Sequence, residues 1–128
     1  EIAQCLVGSE MCIRDSYYRD ASILCLTSTF EGWPLCLTEA QANGVIPISF
    51  NCCAGIEAIL GPNKVNGILV PNGDINAFAK ELTELINNPQ LMEEIRKNVL
   101  KKVLTYSPEL VGEKWLNLFN TLLENSNN

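Results

Sequence analysis

Histidine is absent from this sequence of 128 residues, and that removes several chemistries at once. A serine or cysteine hydrolase would lack the base that activates its nucleophile. A mixed zinc site would lack its nitrogen ligands, and the six cysteines, Cys5, Cys12, Cys25, Cys36, Cys52 and Cys53, form no C-x-x-C pair. Four of them lie in or beside apolar runs, where a free thiol behaves as a small hydrophobe, so structural cysteines are expected rather than a disulfide framework. Cations are scarce too: nine Lys and Arg stand against fifteen Asp and Glu, a net charge of −6. That balance argues against a nucleic-acid or anionic-membrane surface, which needs clustered Lys and Arg. No run approaches the roughly 18 apolar residues of a membrane span, and no signal peptide is evident. A cytoplasmic protein is the simplest reading, with the inner membrane face left open for a full-length protein. Also missing are G-x-G-x-x-G and G-x-x-x-x-G-K-[ST], the glycine-rich loops of dinucleotide and nucleoside triphosphate sites.

What is present is one core's worth of apolar residues, 47% of the chain, so a single globular domain is expected. Its centre is Phe30-Glu31-Gly32-Trp33-Pro34-Leu35-Cys36-Leu37-Thr38-Glu39-Ala40-Gln41-Ala42-Asn43-Gly44. Pro34 suits a first helical turn and Gly44 the left-handed residue past a helix end, which predicts a helix from about 34 to 43. Upstream, Ile23-Leu24-Cys25-Leu26-Thr27 reads as a buried strand. Strand, loop and helix in that order place Glu31 beyond a strand's carboxyl end, where ligands sit in doubly wound sheets. Glu39 would lie roughly 7 Å along the helix from Pro34. The helix N-terminus could hold a pyrophosphate while each carboxylate accepts from a sugar diol. On spacing alone an ordinary surface glutamate is the favoured reading. Against that, Leu35, Cys36, Leu37, Ala40 and Ala42 make the helix apolar on most sides, and a carboxylate is costly to bury there without partners.

Downstream, Val45 to Phe50 reads as a second parallel strand, with Pro47 tolerated toward an edge or at a break in the ladder. Residues 51–55 form a loop, Ile56 to Leu60 a short helix stopped by Gly61-Pro62, and Ile68-Leu69-Val70 a third strand. Asp74 is a plausible N-cap for a helix to about 87, and Asn87-Asn88-Pro89 breaks the run. Leu91, Ile95, Val99 and Val103 mark the next helix, whose Arg96, Lys97, Lys101 and Lys102 read as a solvated face. Ser107-Pro108 caps a last helix with the stripe Val111, Trp115, Leu118, Phe119 and Leu122, for which core packing is the expectation. The fold class is therefore α/β, a Rossmann-like parallel sheet flanked by helices with a helical C-terminal segment. Residues 1–16 depart from this pattern, and Cys5 to Ser16 resembles translated sequencing-adapter sequence. Residues 125–128 are expected to be a disordered tail.

The central stretch resembles the donor-binding signature of retaining glycosyltransferases with the GT-B fold, in particular the family 4 type, marked by two glutamates separated by seven residues. Ser28 to Pro34 is similar to that family's Ser-x-x-Glu-Gly-aromatic-Gly/Pro, Glu39 to Ile48 to its Glu-Ala-x-Ala-x-Gly-x-Pro-Val-Ile, and Asn66 to Asp74 to its Asn-Gly-x-Leu-Val-x-x-Gly-Asp. The resemblance covers roughly residues 17–124. It implies the nucleotide-sugar-binding C-terminal domain of a GT-B enzyme, in part. The implied reaction moves a sugar from a nucleotide-diphosphate sugar, UDP-linked by family frequency, to a glycan or lipid-linked acceptor with retention of configuration. No cofactor or metal is implied, and the absence of Asp-x-Asp argues against the metal-dependent style of transfer.

By the same resemblance Glu31 contacts the donor sugar and helps stabilise the reacting centre, and Glu39 binds the ribose hydroxyls. Gly32, Trp33, Pro34 and Leu35 lie against the sugar and the β-phosphate. Pro34 has no N–H where many members have glycine, so phosphate donors would come from Leu35 and Cys36. Gly55 either approaches the ligand closely or is a turn glycine, and Trp33 is either core or ligand platform. The basic pair that neutralises the leaving pyrophosphate, and the N-terminal domain that binds the acceptor, are not in this chain, so negligible activity alone is expected. The alternatives from other classes are a non-catalytic Rossmann-like nucleotide-binding or scaffold module, and an assembly artefact with no stable existence.

Overall fold

The computed structural model describes residue 13 and residues 16–126. After a helical segment at 16–20, the order is β1 (Ile23–Leu26), α1 (Leu35–Ala42), β2 (Ile46–Asn51), α2 (Ala54–Leu60) and β3 (Ile68–Pro71). Helices α3 (Ile75–Ile86) and α4 (Pro89–Val103), a 3-10 turn (Leu104–Tyr106) and α5 (Pro108–Ser126) complete it. The three strands form one parallel sheet in the order β1-β2-β3. Ile23 pairs with Ile46, and Ile48 with Ile68.

Side-chain alternation along the strands builds a core on each face of the sheet. Ile46, Ile48, Phe50, Ile68 and Val70 pack against Phe78 and Leu85 of α3 and Ile95 and Val99 of α4. On the other face Leu24, Leu26 and Leu69 meet Leu37 of α1 and Ile56, Ile59 and Leu60 of α2. The result is the predicted Rossmann-like layering of helix, parallel sheet and helix.

Local chemistry fixes the element ends. Asp74 accepts from the Ala77 N–H at 2.9 Å, Asn88 from Leu91 at 3.0 Å with Pro89 opening α4, and Ser107 from Leu110 at 3.3 Å. Gly44 has φ +70, the left-handed residue expected after the first helix. Pro47 lies in the central strand, and the ladder explains how. Ile46 donates to Ser22 O on the β1 side, so the nitrogen of Pro47 faces β3, one position before the first β2–β3 pair at Ile48. No ladder bond is lost.

Two expectations are corrected. β1 is only partly buried and Cys25 is exposed, because among the described residues β1 is the end strand of the sheet and no strand lies on its outer side. Trp115 is 56% exposed and Phe119 50%. The stripe on α5 is thus a surface feature, because α5 leans on the 3-10 turn and not on the sheet. Arg96 is exposed, as a solvated face requires, and its Nε donates to Gly44 O at 3.1 Å, tying α4 to the end of α1. Asn125 and Ser126 are the last helical positions of α5. The atypical segment 1–16 falls almost wholly outside the described residues. Among the described residues no helix is long and apolar enough to cross a membrane.

Candidate site at the carboxyl ends of the strands

The β1–α1 connection carries the predicted residues. Helix α1 begins at Leu35, with Pro34 as its extended N-cap (φ −73, ψ 104) and no side chain capping it. That places Pro34 one residue earlier than the sequence suggested; its side chain caps nothing, and its carbonyl accepts from the Leu37 N–H at 3.1 Å. Leu35 is 66% exposed and Ala42 is exposed, so only the side of α1 carrying Leu37, Ala40 and Gln41 is buried. The helix is less enclosed than its composition implied, and Glu39 is half-buried at the boundary.

Glu31 and Glu39 meet electrostatically at one thiol. Burial first, then the carboxylate of Glu31 and that of Glu39, push the Cys36 thiol above its ordinary 9.0. Both carboxylates are thus near enough to the first turn of α1 to act on the Cys36 thiol. Glu39 also has a partner that the sequence reading missed. The hydroxyl of buried Tyr18 lies 3.3 Å from Glu39 Oε2 and 3.4 Å from Cys36 O. A tyrosine eighteen residues before Cys36 gives no local pattern, and only its place in a helical turn preceding an apolar strand could have marked it.

Gly32 and Trp33 are exposed and Pro34 is buried. Trp33, 47% exposed, makes an edge-on contact with Tyr106 at 5.8 Å, and Lys102 lies 5.6 Å above the Tyr106 ring. It is therefore not a core residue, and the C-terminal turn buttresses one side of it. Gly55 sits against the loop itself: a Cβ added there would fall on Gly32 O and lie 3.4 Å from Trp33 Cα. Its nearest neighbour is thus protein backbone, and the need for glycine there is a steric need of the fold. Among the described residues no group of three or more His, Cys, Asp or Glu side chains is placed to hold a metal.

An apolar groove of about 550 Å³ opens nearby, lined by Thr27, Thr29, Phe50, Gly73, Phe78 and Leu82. It lies on the α3 face of the sheet, away from α1, and none of the carboxylates discussed above lines it.

A parallel sheet whose loops and uncapped helix start gather at the strands' carboxyl ends defines a ligand-binding α/β domain. Residues 13–102 match the family described as Glycosyl transferases group 1, and the chain belongs to that family. It is 36% identical over 99 residues to an uncharacterized glycosyltransferase of Haemophilus influenzae, covering 77% of this chain and 28% of that protein. It is also 36% identical over 106 residues to a poly(ribitol-phosphate) alpha-N-acetylglucosaminyltransferase of Staphylococcus aureus, with 80% and 21% covered. Among solved structures it resembles a mutant of S. aureus TarM in complex with Fondaparinux, alpha-GlcNAc-glycerol and UDP. That likeness has a TM-score of 0.72 at 33% identity and covers 82% of this chain and 21% of that one. A sucrose-phosphate synthase of Thermosynechococcus elongatus gives 0.71 at 26% identity, with 84% and 27% covered. The fold is accordingly of the GT-B C-terminal type, and the chain spans between a fifth and a third of the length of these relatives.

Proposed function

We propose that this chain is the donor-binding part of a retaining glycosyltransferase that takes a nucleotide-diphosphate sugar, UDP-linked, and serves polysaccharide synthesis. The observation that carries the reading is the place of Glu31 on the loop between β1 and α1 and of Glu39 on α1 itself, on either side of a first turn whose N-cap residue, Pro34, supplies no capping side chain. Unpaired N–H groups and the positive end of the helix dipole favour a pyrophosphate there. A carboxylate on each side can then accept from hydroxyls of the two sugar rings. Glu31 faces the donor sugar and supports positive charge developing at the reacting carbon. Glu39, held by Tyr18, takes the ribose hydroxyls. Gly32, Trp33, Leu35 and Cys36 line the phosphate and sugar path. Pro34 contributes shape and no donor.

The bound UDP named for the TarM structure and the N-acetylglucosaminyl transfer named for its S. aureus relative support this reading. A glycan or lipid-linked acceptor would be held by parts of a longer protein, so transfer by these 128 residues alone is expected to be negligible. The test is an amide-resolved NMR titration of the chain with UDP, with Glu39→Gln as control. Shifts confined to residues 31–39 and lost in the variant support the donor reading. A well-dispersed spectrum without shifts in the wild-type chain counts against it.

A further inference from the structure

The exposed loop that carries Glu31 is held from one side. A Cβ on Gly32 would meet nothing within 4 Å, so no packing fixes that residue from its open face. On the other face lies the start of α2. The Cys53 Sγ–H donates to Gly32 O at 3.3 Å, and Gly55 leaves the space that this carbonyl fills. Cys53 is the N-cap of α2, yet its side chain caps nothing in its own helix and turns to the neighbouring loop instead.

A consequence follows from peptide geometry. In a trans peptide the C=O and the following N–H point in opposite directions across a rigid plane. Seating the Gly32 carbonyl toward Cys53 and Gly55 therefore turns the Trp33 N–H away from α2, to the open side of the loop. Pro34 has no N–H, so Trp33 supplies the last backbone donor before the first turn of α1. We infer that Cys53 and Gly55 are positioning residues: they set the Gly32–Trp33 peptide so that the Trp33 N–H joins those of Leu35 and Cys36 in facing the donor's β-phosphate. This rests on the donor reading above and adds to it the device that aims the loop.

Gly55 offers a discriminating substitution. It lies within α2 and has no left-handed φ, so alanine there suits the helix by intrinsic propensity, and damage can come only from the collision with Gly32 O. The experiment compares Gly55→Ala, Cys53→Ala and Cys53→Ser in the full 128-residue chain by amide NMR without ligand, then by ³¹P and ¹H NMR with UDP. The expected result is a displaced Trp33 amide resonance in Gly55→Ala and Cys53→Ala and a near-native one in Cys53→Ser, whose hydroxyl keeps a donor. With UDP, Gly55→Ala should weaken binding about five- to tenfold, the value of a lost hydrogen bond, and abolish the β-phosphorus shift while the uracil protons still respond. A merely structural role would diminish the phosphate and uracil responses together, and that outcome overturns the inference. So does an unmoved Trp33 resonance in both alanine variants. If Gly55→Ala does not fold, the Cys53 pair decides by the same two readouts. If the wild-type chain does not bind UDP, the donor reading falls, while the Trp33 resonance in the unliganded variants still decides how the peptide is oriented.

Discussion

Glu39 sits half-buried on α1, and a carboxylate in that position is stable only if donors reach it. Tyr18 reaches it at 3.3 Å. Tyr18→Phe keeps the ring that packs with Ala40 and Val45 and removes the hydroxyl alone. It is expected to weaken UDP binding about fivefold, the value of one hydrogen bond to a charged group, with an unchanged amide spectrum for the sheet. Calorimetric titration showing equal affinity would remove Tyr18 from the site. Cys36 reports the two carboxylates directly. Its thiol is raised by burial, by Glu31 and by Glu39, so little of it is thiolate at pH 8 and it should alkylate slowly. Glu39→Gln removes one of the two anions and moves the thiol back toward 9.0. The iodoacetamide rate at Cys36 should then rise, read by mass spectrometry of the peptide. No change would mean that Glu39 lies too far from Cys36 to act on it. At this scale the sequence marked Glu31, Glu39 and the loop, because turn glycine, proline and carboxylate announce themselves locally. It could not mark Tyr18 or Cys53, whose roles exist only once distant segments meet.

The elements answer to burial and capping. Ile48 is fully buried in the central strand between neighbours on α3 and α4. Ile48→Ala should cost about 3 kcal/mol through lost transfer energy and a cavity, measured by urea denaturation. A loss below about 1 kcal/mol would mean that the site collapses on itself. Asp74→Ala removes the acceptor for the Ala77 N–H and should cost about 1 kcal/mol. Helix limits were largely legible because Asp74, Pro89, Ser107 and Gly44 act within a few residues of themselves. The exposure of β1 was not. An apolar run of four residues reads the same whether the strand lies inside a sheet or at its edge, and only the strand order distinguishes them.

At the scale of the molecule, the chain is a family member's sheet and its β1–α1 loop with a long helix standing off from it. The stripe on α5 follows the helical period, and periodicity reports which residues share a face without saying what that face meets. Since Trp115 is 56% exposed, Trp115→Ala is expected to change stability by less than about 0.5 kcal/mol. A core tryptophan would cost several times that, and denaturation midpoints separate the two. Tyr18 carries a different lesson for anyone redrawing this gene. Residues 16–20 look dispensable, and a shortened version starting at Ala21 would retain every described strand and every helix from α1 to α5. It would also have discarded the hydroxyl that steadies Glu39. A protein trimmed there should lose the buried Tyr18 ring that packs with Ala40 and Val45 along with that hydroxyl, so it should melt below its parent and serve as a poor receptor for UDP, whereas one that keeps residues 16–20 retains both groups.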